Sequence, residues 1–253
     1  MRERKYKLTD DTIISYAHIL HRIEAVRDFS DVKAGDKGGY VESEDNLSHD
    51  GNCWVYDDAR VMDQASVYGD ASVREHAFVA GQSQVCGEAD VYGNACVGAQ
   101  AVVSGQARIY HNAIVIDKAR VHGASRVLGN SRIKGCANVH GNTYITDHAI
   151  ISGRSEVYGC IKIGGHVKIL GRSVVSGNGC LSGNDIYDSC VVRDYDKDFN
   201  SSVIRVKSKD LNCSVINNND VLDNCVIIGQ ADGFDTEEFL RKFNSPFLRT
   251  LKH

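Results

Sequence analysis

The chain has 253 residues, of which 42% are hydrophobic and 25% charged, and its formal net charge is −4. This mildly acidic composition, without a basic block, argues against nucleic acid and anionic membranes as partners, because both attract clustered positive charge. No apolar run approaches the roughly 20 residues that span a bilayer, and the N-terminal segment lacks the apolar core of a signal peptide. The nine cysteines form no CxxC or other metal-type pair, so we expect a reduced, cytoplasmic protein without a metal or other cofactor.

Residues 1–40 lack the repeat that follows and are predicted to form an N-terminal β cap. Short apolar runs at 12–14 and 18–20 indicate strands, or a hairpin that folds over the first coil. A stack of coils with an open end would expose unpaired strand edges to other chains. A cap at this end is therefore expected on physical grounds.

A six-residue repeat dominates residues 41–183. Every sixth residue from Val55 to Leu181 is Val, Ile or Leu, without one insertion. The residue two positions earlier is usually small, most often Ala, and the residue two positions later is most often Gly. The unit is therefore A-x-V-x-G-x, which the 3.6-residue period of a helix does not produce.

This repeat predicts an all-β fold, a single-stranded parallel β-helix of triangular coils. Residues i and i−2 of a strand point to the same side, so the Ala and Val columns both face inward. Gly gives the backbone the freedom for a sharp corner into the next short strand. Three six-residue strands close one 18-residue coil, and successive coils stack at the usual strand spacing of about 4.8 Å. One coil cannot bury its own core, so the stability comes from stacking.

The repeat weakens towards the C-terminus. Residues 184–232 are predicted to continue the β-helix irregularly, because aliphatic positions six apart resume only at Val215 and in a different phase. Residues 233–253 form a predicted helical tail, with Asp235 as its N-cap and Glu238 three residues later. The apolar side of this helix would cover the last coil or contact a neighbouring subunit.

One outward face of the predicted prism, called the apolar face below, carries rows of apolar side chains. Stacked outward apolar residues mark contact surfaces, whereas single ones are common on any protein. We expect this face to form an interface between subunits. Its predicted interface residues are Met62, Phe78, Cys96, Ile114, Ile116 and Ile150.

The two other faces carry rows of side chains that suit ligand binding. The tyrosine face stacks aromatic residues beside arginines, and the histidine face stacks two histidines between a serine and a tyrosine. Aromatic rings and guanidinium groups suit a planar ligand such as a nucleotide. The predicted ligand-binding residues are Tyr92, Arg108, Tyr110 and Arg126 on the tyrosine face and His122 and His140 on the histidine face. At the corners, Asn and Gln recur one coil apart, which indicates amide ladders with a structural role.

The repeat resembles that of the bacterial hexapeptide-repeat, or LpxA-like, superfamily. The common pattern places a small residue four positions after the aliphatic one, as in Val67 and Ala71, but it often places Gly directly after the aliphatic residue rather than two positions later. The variant pattern and the segment RIEAVRDFSDVKAGDKGGYVESEDNLSHDGNCWVYDDARV (22–61) more closely resemble YdcK-like and phage- or prophage-borne members. This resemblance covers most of the chain. It implies a homotrimer and a left-handed coil, although parallel crossovers are usually right-handed.

Acyl transfer is an enzymatic activity that this resemblance implies. Such acyltransferases use a histidine as general base, so that an acceptor can attack an acyl-CoA thioester. The candidate bases in this chain fall at corners: His76, His111, His148 and His166. The family's enzymes commonly project a long loop that walls the site from water, and the unbroken repeat leaves no such loop between Cys53 and Gly183. The zinc site of carbonic anhydrases in the superfamily needs three histidines at a spacing that no histidine here provides.

The leading hypothesis is a non-catalytic binding or assembly scaffold, a homotrimer with a phage or prophage accessory role. It would hold a nucleotide-like small molecule or a host protein at clefts between subunits. An acyltransferase that uses acyl-CoA and a corner histidine is the alternative. Filament formation by end-to-end stacking is a third hypothesis, against which the predicted cap and helical tail argue.

Overall fold

The computed structural model of the chain describes residues 3–178, 180–182, 190–193, 214–217 and 220–221. Within these ranges the fold is all-β, apart from a short 3₁₀ helix at Glu44–Asn46. No helix in this part of the chain is long and apolar enough to cross a membrane.

Short strands build three sheets, one for each face of a triangular prism. The ten-stranded sheet of the apolar face consists of β1 (Tyr6–Ser15), β2 (His18–Ala25), β3 (Lys37–Val41), β5 (Arg60–Val61), β8 (Phe78–Val79), β11 (Cys96–Val97), β14 (Ile114–Val115), β17 (Arg132–Ile133), β20 (Ile150–Ile151) and β23 (Lys168–Ile169). The eight-stranded sheet of the tyrosine face consists of β4 (Trp54–Val55), β7 (Ser72–Val73), β10 (Asp90–Val91), β13 (Arg108–Ile109), β16 (Arg126–Val127), β19 (Tyr144–Ile145), β22 (Lys162–Gly164) and β25 (Cys180–Ser182). The ten-stranded sheet of the histidine face consists of β6 (Ser66–Val67), β9 (Gln84–Val85), β12 (Val102–Val103), β15 (Arg120–Val121), β18 (Asn138–Val139), β21 (Glu156–Gly159), β24 (Val174–Gly177), β26 (Cys190–Arg193), β27 (Ser214–Asn217) and β28 (Asp220–Val221).

Successive coils stack in a constant parallel register. Each strand of the regular region pairs with the strand one coil later, as Ile109 pairs with Val127. Backbone N–H groups donate to carbonyls of the next coil, and the Tyr92 nitrogen lies 2.9 Å from the Ile109 oxygen. The aliphatic column from Val55 to Val175 is fully buried. The predicted parallel β-helix is therefore confirmed, and a left-handed hexapeptide β-helix fits this fold.

Many corners begin with a residue in the left-handed region of backbone space. Glycine fills most of these positions, and a Cβ at Gly93 (φ +73°) would lie only 2.8 Å from the backbone nitrogen of His111 in the next coil. Aspartate fills others and uses its side chain, since Asp117 (φ 63°) accepts a hydrogen bond from the Gly135 N–H at 2.8 Å. The same carboxylate bond to the next corner forms at Asp57, Asp63 and Asp147. This bond offsets part of the strain that a side chain suffers in the left-handed region.

Serine and threonine replace alanine at several inner positions without leaving a polar group unpaired. The Ser125 hydroxyl donates to the His122 carbonyl at 2.7 Å, and the Thr143 hydroxyl donates to the His140 carbonyl at 2.6 Å. A buried hydroxyl without a partner would be destabilising, and the carbonyl three residues earlier supplies the partner. The interior of the prism therefore accepts small polar residues in the alanine column.

The N-terminal cap is an antiparallel hairpin of β1 and β2, and β2 continues the sheet onto β3. Because N–H groups donate towards later coils, carbonyls of the first coil need donors from outside the repeat. Side chains of the cap provide them: Lys5 Nζ lies 2.8 Å from the Cys53 oxygen, and the Tyr6 hydroxyl lies 2.7 Å from the Leu47 oxygen. Lys5 and Tyr6 are fully buried. The expectation of an N-terminal β cap is confirmed.

The predicted helical tail at 233–253 lies outside the described residues. Most of the predicted irregular continuation at 184–232 also lies outside them, and its described strands are β26, β27 and β28. The first two continue the sheet of the histidine face in parallel, and β28 pairs antiparallel with β27.

Candidate ligand-binding face

On the tyrosine face, the constant register places like side chains on top of one another. The rings of Tyr92 and Tyr110 stack with centroids 4.8 Å apart and planes inclined by 4°. Each ring therefore covers one face of its neighbour, and a planar ligand has no room between them. Arg108 and Arg126 are direct partners in the parallel register of the adjacent outward column. The structure thus brings the four residues predicted on this face together.

The two arginines differ from Arg74, which lies on the same face. Arg74 donates to Asp90 through Nε at 3.0 Å and through Nη2 at 2.7 Å, so this carboxylate already has a cationic partner. The guanidinium groups of Arg108 and Arg126 make no hydrogen bond or ion pair with a residue in the described ranges, and both residues are exposed. Two guanidinium groups one coil apart repel each other. An anion bound between them would remove this repulsion.

A shallow hollow beside the arginines is lined by Glu88, Gln106, Arg108, Ala124 and Arg126. At its rim, Gln106 Nε2 donates to Glu88 Oε2 at 2.9 Å, which fixes both side chains. The hollow therefore contains two guanidinium groups that form no ion pair within the described chain and one carboxylate that already has a hydrogen-bond donor. Its electrostatic character favours an anionic group on the arginine side.

The hydroxyls of Tyr92 and Tyr110 stay protonated at neutral pH. Burial raises the pKa of Tyr110 to about 12, and the neighbouring Tyr144 contributes to the rise. Burial also raises the pKa of Tyr92. Lys162 Nζ lies 5.6 Å from the centroid of the Tyr144 ring, within reach of a cation–π contact. The face therefore presents neutral hydroxyl groups and cations to a ligand, rather than phenolates that would compete for the arginines.

On the histidine face, three rings stack in one column. The centroids of His122 and His140 are 4.9 Å apart, and those of His140 and Tyr158 are 5.1 Å apart. His122 Nε2 lies 3.1 Å from Asn138 Oδ1, and His140 Nε2 lies 3.2 Å from Glu156 Oε1. Because both partner atoms are oxygens, these contacts favour the tautomer that carries its hydrogen on Nε2 and keeps a lone pair on Nδ1. The two predicted ligand-binding histidines thus adjoin each other, but on a different face from the arginines.

The four predicted catalytic histidines lie along the corner that follows the tyrosine face. His148 and His166 stack with centroids 4.8 Å apart, and Asn130 Nδ2 lies 3.3 Å from His148 Nε2. His111 takes a left-handed corner position with a φ of 58°. Within the described chain, the side chains of these four histidines form no hydrogen bond or ion pair with a carboxylate. His76, His148 and His166 lie in the same column as the amide ladder of Asn94, Asn112 and Asn130. The side chains of these asparagines form hydrogen bonds with one another at 3.3 and 3.2 Å.

Part of the predicted subunit interface is covered by the chain's own hairpin. Met62 is buried against Leu20 and Tyr40, so its assignment to an interface between subunits is corrected: it packs within the chain. The six-residue repeat predicts that the Met62 side chain points outward, but it contains no information about a hairpin that folds over this position. The ring of Phe78 also contacts Tyr16 of the hairpin, with centroids 5.4 Å apart. Phe78, Cys96, Ile114, Ile116 and Ile150 are half-buried, and their role in an interface stays a prediction.

His18, Glu42 and Asp63 form a polar cluster at the tip of the hairpin. His18 Nδ1 lies 3.0 Å from Glu42 Oε1, and His18 Nε2 lies 3.6 Å from Asp63 Oδ1. The three groups lie close enough for a metal ion, within 4.8 Å, but the two ring nitrogens face different carboxylates. The hydrogen bond with Glu42 raises the pKa of His18, and the same bond lowers the pKa of Glu42. We interpret the cluster as an ion-pair clamp that ties the hairpin to the first coils.

Similarity to known proteins agrees with the fold. No family model matches the chain. A stretch of 62 residues is 40% identical to the uncharacterized acetyltransferase YdcK of Escherichia coli (strain K12) and makes up 21% of this chain and 19% of that protein. The stacked parallel coils and this weak similarity point the same way. The chain fits the hexapeptide-repeat β-helix superfamily.

The fit to the hexapeptide-repeat superfamily accounts for the coils but does not define the site. The match spans only 19% of YdcK, so it does not extend that protein's activity to this chain. The sequence did predict the pairing of Arg108 with Arg126, because one coil separates them. It did not predict the His18 clamp, because the three clamp residues follow no common period and no sequence signal connects them.

Proposed function

We propose that the chain is a rigid β-helical scaffold that binds a small planar anion of the nucleotide type on its tyrosine face. The observation that carries this proposal is that the neighbouring guanidinium groups of Arg108 and Arg126 have no ion-pair partner in the described chain. They lie beside the stacked rings of Tyr92 and Tyr110. The chain has a net charge of −4, so carboxylates to neutralise these cations are abundant in its composition. Two adjacent guanidinium groups without a partner are well explained by an anion that comes from outside the chain.

The stacked tyrosines would recognise the planar part of the ligand by its edge. Their facing ring surfaces are closed to a ligand, since Tyr92 and Tyr110 lie 4.8 Å apart. The ring edges carry positive character, and the hydroxyls remain protonated donors. A nucleobase beside this column would therefore accept hydrogen bonds, while the arginines would bind the phosphate. The ligand would thus contact the edges of the tyrosine rings, whereas the sequence pattern favours stacking of the ligand on their faces.

The openness of the face favours binding over catalysis. From Trp54 to Gly177 strand follows strand with only short corners between them, so this part of the chain contributes no long loop that could cover the tyrosine face. Group-transfer enzymes generally exclude water from the reacting atoms, and an open sheet surface does not. A rigid row of side chains at a fixed spacing is suited instead to holding a ligand in one orientation.

Calorimetric titration with AMP and with adenosine tests the proposal. We expect the protein to bind AMP more tightly than adenosine, and we expect the double variant Arg108→Ala, Arg126→Ala to bind AMP at least roughly tenfold more weakly. Arg120→Ala is the matched control, because Arg120 holds the same repeat position on the histidine face between Val102 and Asn138. Equal affinity of the double variant and the unaltered protein for AMP would contradict the proposal.

A second candidate function is acetyl transfer with His140 as the general base. Two observations favour it: the similar protein YdcK is named an uncharacterized acetyltransferase, and His140 Nε2 lies 3.2 Å from Glu156 Oε1. Such a contact would orient the ring and leave Nδ1 free to accept a proton. Consumption of acetyl-CoA with amine and hydroxyl acceptors would be compared between the unaltered protein and His140→Ala. Turnover that is unchanged by the substitution would reject His140 as the base.

A homotrimer with a phage or prophage accessory role completes the proposal. The five half-buried residues of the apolar face, Phe78, Cys96, Ile114, Ile116 and Ile150, would form the contact between subunits. Light scattering tests the assembly, and a monomer at all concentrations would contradict it. Binding to the tyrosine face is separable from this assembly, because the face belongs to one chain.

A further inference from the structure

We infer that the ligand's phosphate binds in a notch at Ala124, where one polar side chain is missing from a corner ladder. This inference rests on the proposed function and names the chemical group that its site takes. That group is a phosphate monoester, which carries close to two negative charges at neutral pH.

The corner between the histidine face and the tyrosine face carries polar side chains in successive coils on both sides of Ala124. Asp70 and Glu88 precede it, and Gln106 Nε2 donates to Glu88 Oε2 at 2.9 Å. One coil after Ala124 the column continues with Asn142. Ala124 is half-buried and ends at its Cβ, so the ladder has a gap about one side chain long at this coil.

The gap opens onto the two unpaired guanidinium groups. Ala124, Arg108 and Arg126 line the same hollow, together with Gln106 and Glu88. Asp90 is the register partner of Arg108, but its carboxylate binds Arg74, and no side chain in the described ranges forms an ion pair with the arginines at the gap. An anion from outside the chain would occupy the position that a carboxylate at residue 124 could have filled.

The charges of the hollow favour a phosphate monoester over a carboxylate. Two guanidinium forks match a group with two negative charges and three terminal oxygens, whereas a carboxylate would leave one positive charge without a partner. Only one N–H of the Gln106 amide donates to Glu88, so its second N–H is free to donate to a phosphate oxygen. Glu88 at the rim repels an anion and would hold the phosphate towards Ala124.

Filling the notch with a carboxylate of the protein tests the inference. Ala124→Glu would complete the ladder and neutralise the arginines from within the chain. We expect it to weaken binding of both AMP and inorganic phosphate at least roughly tenfold by calorimetry. Gln100→Glu is the control, because it adds the same charge at a different corner, where Gln100 Nε2 donates to Gln82 Oε1 at 3.1 Å. We expect this control to bind both ligands within about twofold of the unaltered protein.

The outcomes separate the notch from the proposed function. AMP binding that Ala124→Glu leaves unchanged would overturn the notch while nucleotide binding stands. A different outcome is that the unaltered protein binds inorganic phosphate as tightly as AMP and that Ala124→Glu abolishes this binding. This result would support the notch and contradict a nucleotide as the ligand. No binding of either ligand would overturn both. If Ala124→Glu does not fold, Arg108→Ala alone replaces it, and unchanged phosphate affinity in that variant would equally overturn the notch.

Discussion

The regular coils and the N-terminal cap both bury apolar side chains and satisfy their backbones, but they do so by different means. In the coils each residue has its role through its position in the repeat, and the same contact recurs at every turn. In the cap, single side chains such as Lys5 and Tyr6 perform tasks that occur once. A repetitive fold therefore draws its stability from neighbour-to-neighbour stacking along its axis and depends on individual residues at its ends.

Removing one side chain from the interior of the coils is expected to cause the largest loss of stability. Ile109 is fully buried in the aliphatic column. Ile109→Ala is expected to lower the free energy of unfolding by about 2–5 kcal/mol, because the short strands on either side cannot collapse into the cavity. Urea denaturation measures this change. A loss below about 1 kcal/mol would show that the coils repack freely, against the rigid stacking described here.

Removing one hydroxyl from the cap is expected to have the next largest effect. Tyr6→Phe keeps the buried ring but leaves the Leu47 carbonyl without its donor at 2.7 Å. We expect a loss of about 1–3 kcal/mol, together with faster hydrogen exchange in the first coil. Tyr16→Phe is the control, because Tyr16 is 80% exposed at the tip of the hairpin. Equal effects of the two substitutions would show that the hydroxyl of Tyr6 does not stabilise the first coil.

A corner aspartate is expected to contribute less than a cap residue, because other corners repeat its role. Asp117→Ala keeps a Cβ in the left-handed region and removes the hydrogen bond to the Gly135 N–H. The expected loss is about 1 kcal/mol in urea denaturation. Asp117→Gly also removes this bond but relieves the backbone strain, so its loss should be smaller. A larger loss for glycine than for alanine would contradict this explanation of the corners.

The smallest expected effect is the pH dependence of the hairpin clamp. The pKa of His18 is raised above its ordinary value of 6.5, so the contribution of the imidazolium is complete below that pH and is lost as the pH rises through the raised value. The pKa of Glu42 is lowered from 4.5, so its contribution is present above that pH and is lost as the pH falls through the lowered value. The clamp is therefore strongest between about pH 4.5 and 6.5.

Hydrogen exchange in β1 and β2 measures this clamp directly. Protection of the hairpin should fall as the pH rises above the window, and His18→Asn should remove this dependence while exchange in the coils stays unchanged. The same pH dependence in His18→Asn and in the unaltered protein would assign it to another group.

The coils and their columns could be predicted from the sequence because a constant period fixes the orientation of every side chain. From this period came the buried aliphatic column, the amide ladder at Asn94 and Asn112, and the pairing of Arg108 with Arg126. The same register places Tyr92 above Tyr110. It was not evident from the sequence that this stacking closes their facing ring surfaces to a ligand.

The contacts of the cap could not be predicted, because they join residues that follow no period. The burial of Met62 under the hairpin and the clamp between His18 and Glu42 depend on how ten-residue and eight-residue strands fold across the first coils. The carboxylate beside His140 was missed for a related reason: Glu156 follows it by 16 residues, two fewer than one coil, so the contact is diagonal and does not run along a column. Diagonal neighbours depend on side-chain rotamers that the repeat does not specify.

The most direct test of nucleotide binding on the tyrosine face asks whether the phosphate of a nucleotide contacts Arg108 and Arg126. Phosphorus NMR of AMP, recorded while the protein is added, reports on this group alone. We expect a shift of the phosphorus resonance with the unaltered protein, a smaller shift as salt is added, and no shift with the variant that lacks both arginines. A resonance that does not move with the unaltered protein, or that moves equally with the double variant, would contradict this binding.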